Sequence, residues 1–237
     1  MNKYISLPLL FGLAFSTTIN IPSDYTTIQA GINASVDGDT VLVAQGTYSE
    51  NLILEKEIVL ASHALNDDLN TGWINNENIL ETIISGTLEP VDPDYGSCLV
   101  VQDGNIAPTI LGFTFQDGIG TAMVENDTCE IVVQRPERSG GAILIYKAYP
   151  TIIHNRFINN GRVPADDGNG SLAISNGGAI GHFDDDDVEF DEDRNNARRI
   201  RQSSRDIPEE VNIQNNYFEN NSSRDGMNFY SRGYAGS

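Results

Sequence analysis

One alternation of apolar and polar positions recurs three times along the chain: Thr109-Ile-Leu-Gly-Phe-Thr-Phe-Gln-Asp-Gly118, Thr151-Ile-Ile-His-Asn-Arg-Phe-Ile-Asn-Asn160 and Asn212-Ile-Gln-Asn-Asn-Tyr-Phe-Glu-Asn-Asn221. Each copy sets an aliphatic residue second (Ile110, Ile152, Ile213) and a phenylalanine seventh (Phe115, Phe157, Phe218), then closes on Asp-Gly or Asn-Asn. A unit that returns in this way stacks on its own neighbours, so the pattern predicts an all-β repeat architecture of short strands joined by turns. A second phrase, Gly140-Gly-Ala-Ile143 and Gly177-Gly-Ala-Ile180, precedes the second and third copies, and Cys98-Leu-Val-Val101 holds the matching place before the first. The glycine pairs suit tight corners, while Asn159-Asn160 and Asn220-Asn221 suit turns and amide ladders between stacked copies.

The N-terminal third prepares for this stack. Ser23 and Asp24 can cap a helix over Thr26 to Val36, where Ile28, Ile32 and Val36 recur at four-residue spacing. Short apolar runs follow at 40–43, 52–54 and 58–60, separated by Gly46 and polar residues, as strands with one buried face would be. A helix ahead of a stack of strands covers the first unit's apolar interior and its unpaired backbone groups. From Cys98 the units run 98–139 and 140–176, and a third begins at 177. The third is lengthened by a charged insertion, 182–210, with eight acidic residues between Asp184 and Asp193 followed by Arg194, Arg198, Arg199, Arg201 and Arg205. Adjacent blocks of opposite sign read as a solvated loop. Met227 to Tyr234 begin a further unit without a recognisable cap, so the repeat domain is read as 17–237 with an incomplete C-terminus.

The phrase Thr27-Ile-Gln-Ala-Gly-Ile-Asn-Ala-Ser-Val-Asp-Gly-Asp-Thr-Val-Leu-Val-Ala-Gln-Gly-Thr-Tyr-Ser-Glu-Asn51 leads into the Gly-Gly-Ala-Ile and Pro-Thr-Ile-Ile-His-Asn-Arg-Phe-Ile-Asn-Asn units. Together they resemble the right-handed parallel β-helix proteins of the pectin-lyase-like superfamily. The resemblance implies a three-sheet solenoid with a short N-terminal capping helix. It does not fix an activity, because that superfamily spans esterases, lyases, hydrolases, epimerases, tailspikes and surface proteins without assigned chemistry.

Charge narrows the partners. Lys3, the apolar stretch Ile5 to Phe15 and the small residues Ala14 and Ser16 read as a signal peptide over 1–16, too short for a membrane span. This predicts a secreted or cell-surface protein. Without that leader the chain carries 13 basic against 34 acidic residues, a net charge of about −21. Such a field disfavours nucleic acid and anionic membranes, and favours neutral glycans, other cell-surface material or cations. An exported chain meets conditions in which Cys98 and Cys129 could form a disulfide; two unpaired small apolar residues are the other reading.

Catalytic motifs are incomplete. Thr114 to Met123 faintly resembles the approach to a pectin methylesterase site, but the later aspartate motifs are missing. Gly181-His-Phe-Asp184 and Arg199-Ile-Arg201 are partial echoes of polygalacturonase motifs, which need paired carboxylates. A lyase needs a base near a uronic acid C5 and a cation against its carboxylate; Lys147, His154 and Arg156, within one unit, are the candidates. Tyr146 and Tyr149 are candidates for stacking on sugars. Asp191, Asp193 and Asn195 match the first half of a calcium loop, but Asn196 replaces its glycine and Gln202 its bidentate glutamate. No cofactor is required by the sequence, and calcium is the one it leaves open. The expectation is an exported β-helix module that binds extracellular polysaccharide or serves structurally, with a polysaccharide lyase or related carbohydrate-active enzyme as the alternative.

Overall fold

The computed structural model describes residues 16–86, 95–102, 104, 106–125, 137–161, 176–183, 188–190, 210–223 and 228–232. The chain opens with β1 (Thr18–Ile21) and helix α1 (Ile28–Ala34), then runs through β2 (Thr40–Val43), β3 (Gly46–Ser49) and β4 (Leu52–Leu54). A second pass comprises β5 (Val59–Ser62), helix α2 (Glu77–Leu80), β6 (Thr82–Ser85), β7 (Tyr95–Gly96) and β8 (Leu99–Val101). The third has β9 (Thr109–Leu111), β10 (Thr114–Gln116), β11 (Gly120–Glu125), β12 (Glu137–Ser139) and β13 (Ile143–Tyr146). The fourth has β14 (Thr151–Ile153), β15 (Arg156–Ile158), β16 (Ile180–Phe183) and β17 (Val188–Phe190), and the last β18 (Asn212–Gln214), β19 (Tyr217–Glu219) and β20 (Phe229–Arg232).

These strands are distributed over three long parallel sheets. The first is ordered β1-β2-β5-β9-β14-β18, the second β3-β6-β10-β15-β19, and the third β4-β8-β13-β16-β20. Each pass therefore visits the sheets in the same order, an all-β arrangement compatible with a parallel β-helix. Register follows the sequence repeat: Ile110, Ile152 and Ile213 align in the first sheet and Phe115, Phe157 and Phe218 in the second. Strand alternation sends both columns to one interior, where Phe157 stacks between Phe115 and Phe218 at ring-centre distances of 5.4 and 5.0 Å.

The corners are closed by two asparagine ladders. Asn155 Oδ1 accepts from Phe113 N at 2.9 Å and its Nδ2 donates to Ile110 O, while Asn216 Oδ1 accepts from Asn155 N. Asn160 Oδ1 likewise accepts from Gly118 N at 3.0 Å, and Asn221 Oδ1 from Asn160 N at 3.1 Å. Backbone groups that leave the sheet at a bend are thereby satisfied inside the protein. Asn159 and Asn220 instead take left-handed conformations (φ 58° and 54°), as do Gly140 and Gly177 (φ 61° and 63°).

Helix α1 packs against β1, β2 and β4. It is shorter than the four-residue spacing predicts. Thr27, rather than Ser23 or Asp24, caps it, accepting from Ala30 N at 3.2 Å, because the Asp24 carboxylate is taken by Asn20. Ser35 turns extended, Asp39 Oδ2 draws the Val36 N–H at 2.9 Å, and Val36 is left 64% exposed beyond the helix. Charged groups on either side of β4 hold both helix ends. Glu50 accepts from Ile28 N and Gln29 N, and Lys56 Nζ donates to the carbonyls of Ile32, Asn33 and Ser35 at 2.6–2.8 Å. A carboxylate at the N-terminus and an ammonium at the C-terminus both oppose the helix dipole.

A fourth, antiparallel sheet has no counterpart in the sequence reading. β11 pairs with β7, β12 and β17, joining excursions from three different passes. Within the stretch read as a loop insertion, residues 182 and 183 complete β16 and Val188–Phe190 form β17; residues 184–187 and 191–209 lie outside the described set. β11 packs on β13, and Val100, Leu144 and Phe183 form a second apolar cluster with Tyr95 and Tyr146. The third sheet is thus covered on its outer face as well, which is why Leu99–Val101 and Ile143–Ile145 read as continuous apolar runs.

Candidate functional site

The structure divides the candidate residues between two corners. Lys147 follows β13 and precedes β14, whereas His154 follows β14 at the corner between the first and second sheets and Arg156 opens β15 just beyond it. Tyr146 packs with the Val100–Leu144–Phe183 cluster and carries the Lys147 ammonium 5.2 Å from its ring centre; Tyr149 meets the His182 ring edge-on at 6.5 Å. Cys98 is a free, buried thiol whose Sγ donates to Gln116 O at 3.3 Å, and burial pushes its pKa up to about 12. Cys129 lies outside the described residues, as do Asp191, Asp193, Asn195 and residues 1–15 of the stretch 1–16 read as a signal peptide. Among the described residues no group of three or more His, Cys, Asp or Glu side chains could hold a metal, and no helix is long and apolar enough to cross a membrane.

The corner between the first and second sheets gathers more chemistry than the sequence suggests. Between β5 and β6 the chain makes an excursion with two short 3₁₀ turns, His63–Asn66 and Trp73–Asn75, before α2. The excursion is fixed by Thr114 Oγ1, which donates to Ile79 O at 2.8 Å, and by Asp67, whose carboxylate accepts from the Asn76 and Asn78 amides. Those two amides hold the Asp67 pKa below the usual carboxylate value. The anchoring sets the single tryptophan of the chain, Trp73, over His154 at a ring-centre distance of 5.3 Å. His154 occupies a left-handed corner position (φ 55°) that Gly112 fills one pass earlier (φ 82°) and Asn215 one pass later (φ 51°).

Asn215 Nδ2 lies 3.3 Å from His154 Nε2. An amide NH₂ only donates, so with the Asn215 amide in this orientation Nε2 accepts and the neutral ring carries its proton on Nδ1. Burial lowers the His154 pKa and favours that neutral form. Two residues on, β15 points Arg156 outward, in register with Tyr217, and its guanidinium lies 5.3 Å from the Tyr217 ring centre. Tyr217 Oη in turn donates to Glu219 at 3.1 Å. Both His154 Nδ1 and Arg156 Nε are buried without a hydrogen-bond partner among the described residues. An orphaned buried donor costs about 1–3 kcal/mol, so rotation of either side chain onto an incoming oxygen acceptor is favoured.

His154 and Arg156 are thus brought together, Lys147 is set apart, and Trp73, Asn215 and Tyr217 join the first two. Nothing in the spacing of Trp73 marks it, because its position depends on how the 63–81 excursion folds back. The usable signal was its singularity in a segment without strand alternation. No protein-family model matches the chain, and no curated protein matches it either.

Proposed function

We propose that the chain is an exported, right-handed parallel β-helix module of the pectin-lyase-like type that binds extracellular polysaccharide at the corner between its first and second sheets. The observation that carries this reading is the meeting of Trp73 and Tyr217 with two unpartnered N–H donors, His154 Nδ1 and Arg156 Nε. Aromatic rings offer apolar faces to sugar C–H groups, and buried donors without acceptors fit hydroxyl and ring oxygens. The handedness follows the strong preference of parallel crossover connections. Export is supported by the leader-like residues 1–16, and calcium has no assigned role at this corner.

The lyase alternative draws on His154 as a neutral base and Arg156 as a carboxylate partner. It has less behind it, because Lys147 stands at the other end of β14, the Arg156 guanidinium already lies against Tyr217, and the chain's charge of −20 repels polyuronates. A panel of polysaccharides, with and without calcium, separates the two. Retention on a glycan without ultraviolet-absorbing product or new reducing ends, lost on Trp73→Ala, is the expected result. Product formation would establish an enzyme, and a folded protein that binds nothing would leave a purely structural role.

A further inference from the structure

We infer that the first parallel sheet is a binding face for a neutral, extended polysaccharide lying along the stack of strands; the inference rests on the glycan-binding reading above and names its ligand class and footprint. All six strands of this sheet, TINI, TVLV, VLAS, TIL, TII and NIQ, lack a charged residue or a histidine. In a chain of net charge −20 this leaves one uncharged strip. The register gives the strip a regular composition. Thr109 and Thr151 pair directly, in the outward column that begins Thr18, Thr40, Val59, and Leu111 and Ile153 pair beside them in the column of Leu42 and Ala61. Thr18 is exposed and Ala61 buried, and the others are half-buried, as outward residues of a flat sheet are. The strip thus offers a row of hydroxyls, broken at Val59, beside a row of aliphatic groups, which match the hydroxyl edge and the C–H face of a sugar.

The other two sheets are less available. The third lies under the antiparallel sheet, and the second is joined at its edge to the 63–81 excursion through Thr114 and carries Arg156 and Glu219. Size selects the occupant. Six strands about 4.8 Å apart and three or four residues long make a strip of roughly 24 by 10 Å, far below the ~800 Å² per partner of a stable protein interface. A single polysaccharide chain fits that width, and an anionic one would be repelled by the surrounding field. Ile153 runs directly into His154, so one long side of the strip borders the corner with Trp73 already described.

The test is affinity electrophoresis and calorimetry of the folded chain with neutral β-linked glucan, mannan and xyloglucan polymers and with polygalacturonate, at low and high salt. Binding to a neutral polymer is expected, with a Kd that changes less than twofold with salt. Thr109→Glu with Thr151→Glu should weaken it at least tenfold, and the size-conserving Thr109→Val with Thr151→Val about threefold or more, while circular dichroism stays unchanged. If Trp73→Ala abolishes binding and neither threonine pair alters it, the corner reading stands and the sheet-face inference falls. Preference for polygalacturonate, or a Kd that rises steeply with salt, overturns the inference while leaving glycan binding intact. Retention of none of these polymers overturns both.

Discussion

Gln29 and Ile53 close the edge of the third sheet by two hydrogen bonds: Gln29 Oε1 accepts from Ile53 N at 2.8 Å and Gln29 Nε2 donates to Ile53 O at 3.1 Å. β4 is the last strand of that sheet, and a side-chain amide offers one donor and one acceptor in the spacing of a peptide group. The helix therefore substitutes for a missing strand, which removes an edge open to pairing with other chains. Gln29→Ala should destabilise the protein by about 1–3 kcal/mol in urea unfolding and raise its tendency to aggregate. Lys56→Met, which takes the ammonium from the carbonyls of Ile32, Asn33 and Ser35 at the helix end, should do the same, and an unchanged midpoint in both variants would remove the capping role.

Neighbouring asparagines should respond differently. Asn155→Ala leaves Phe113 N buried without its acceptor and takes the amide from Ile110 O, for an expected loss of about 1–3 kcal/mol. Asn159, at φ 58°, needs only a backbone that tolerates the left-handed region, so Asn159→Gly should be within about 0.5 kcal/mol of the parent and Asn159→Ala should cost about 1 kcal/mol. Denaturant midpoints for the three variants decide it, and equal losses at 155 and 159 would mean the ladder carries no special weight.

The Phe157 ring lies between those of Phe115 and Phe218 and is fully buried. Phe157→Ala should cost about 3–5 kcal/mol through lost transfer energy and the cavity left behind. Phe157→Leu should lose clearly less. The comparison by thermal and denaturant unfolding tests whether the aromatic column holds successive passes together.

Cys98 should be chemically silent while the protein is folded. Its thiol is buried with a pKa pushed up to about 12, so almost no thiolate exists at neutral pH. In a Cys129→Ser background a thiol reagent should label Cys98 only at the rate of unfolding. Rapid native-state labelling would mean that the interior opens at this pass.

Stability should also report the corner. His154 has a folded pKa below its ordinary value of 6.5 because burial disfavours the imidazolium. The unfolded chain then binds the proton more readily, so the stability tied to His154 is full above pH 6.5 and declines as pH falls through that value toward the folded pKa. His154→Asn, which suits the left-handed corner, should flatten the urea midpoint between pH 7 and 5. Asp39, whose pKa is lowered by hydrogen bonds from Val36 N and then Thr17 N, acts further down: its contribution is full above the ordinary 3.8 and lost as pH falls below it. Asp39→Asn should remove part of that acid-side slope, and an unaltered profile in either variant would contradict the assigned origin.

The repeat itself was legible because strand alternation and inter-pass register are local. A residue facing inward in one pass faces inward in the next, so Ile110, Ile152 and Ile213, and the phenylalanines beside them, announced their alignment. The asparagine ladder at 160 and 221 was readable for the same reason, and the one at 155 and 216 lay in the same phrases. The helix end at Ser35 was not, because it depends on which acceptor takes the Val36 N–H, here the Asp39 carboxylate, and on Lys56 reaching back from beyond β4 to the last carbonyls.

What the sequence determined by itself is the all-β repeat, its register and its acidic character, each set by short-range pattern or by composition. Only the tertiary structure decided which side chains meet. Trp73 reaches His154 across 80 intervening positions because the 63–81 excursion folds onto the stack, and Lys147 is kept from His154 because a strand of the first sheet runs between them. The antiparallel sheet over the third face was likewise invisible, since β7, β11 and β17 pair across passes without any shared periodicity. Periodicity encodes what lies on the same face; long-range pairing is set by where loops land, and that is a property of the folded chain.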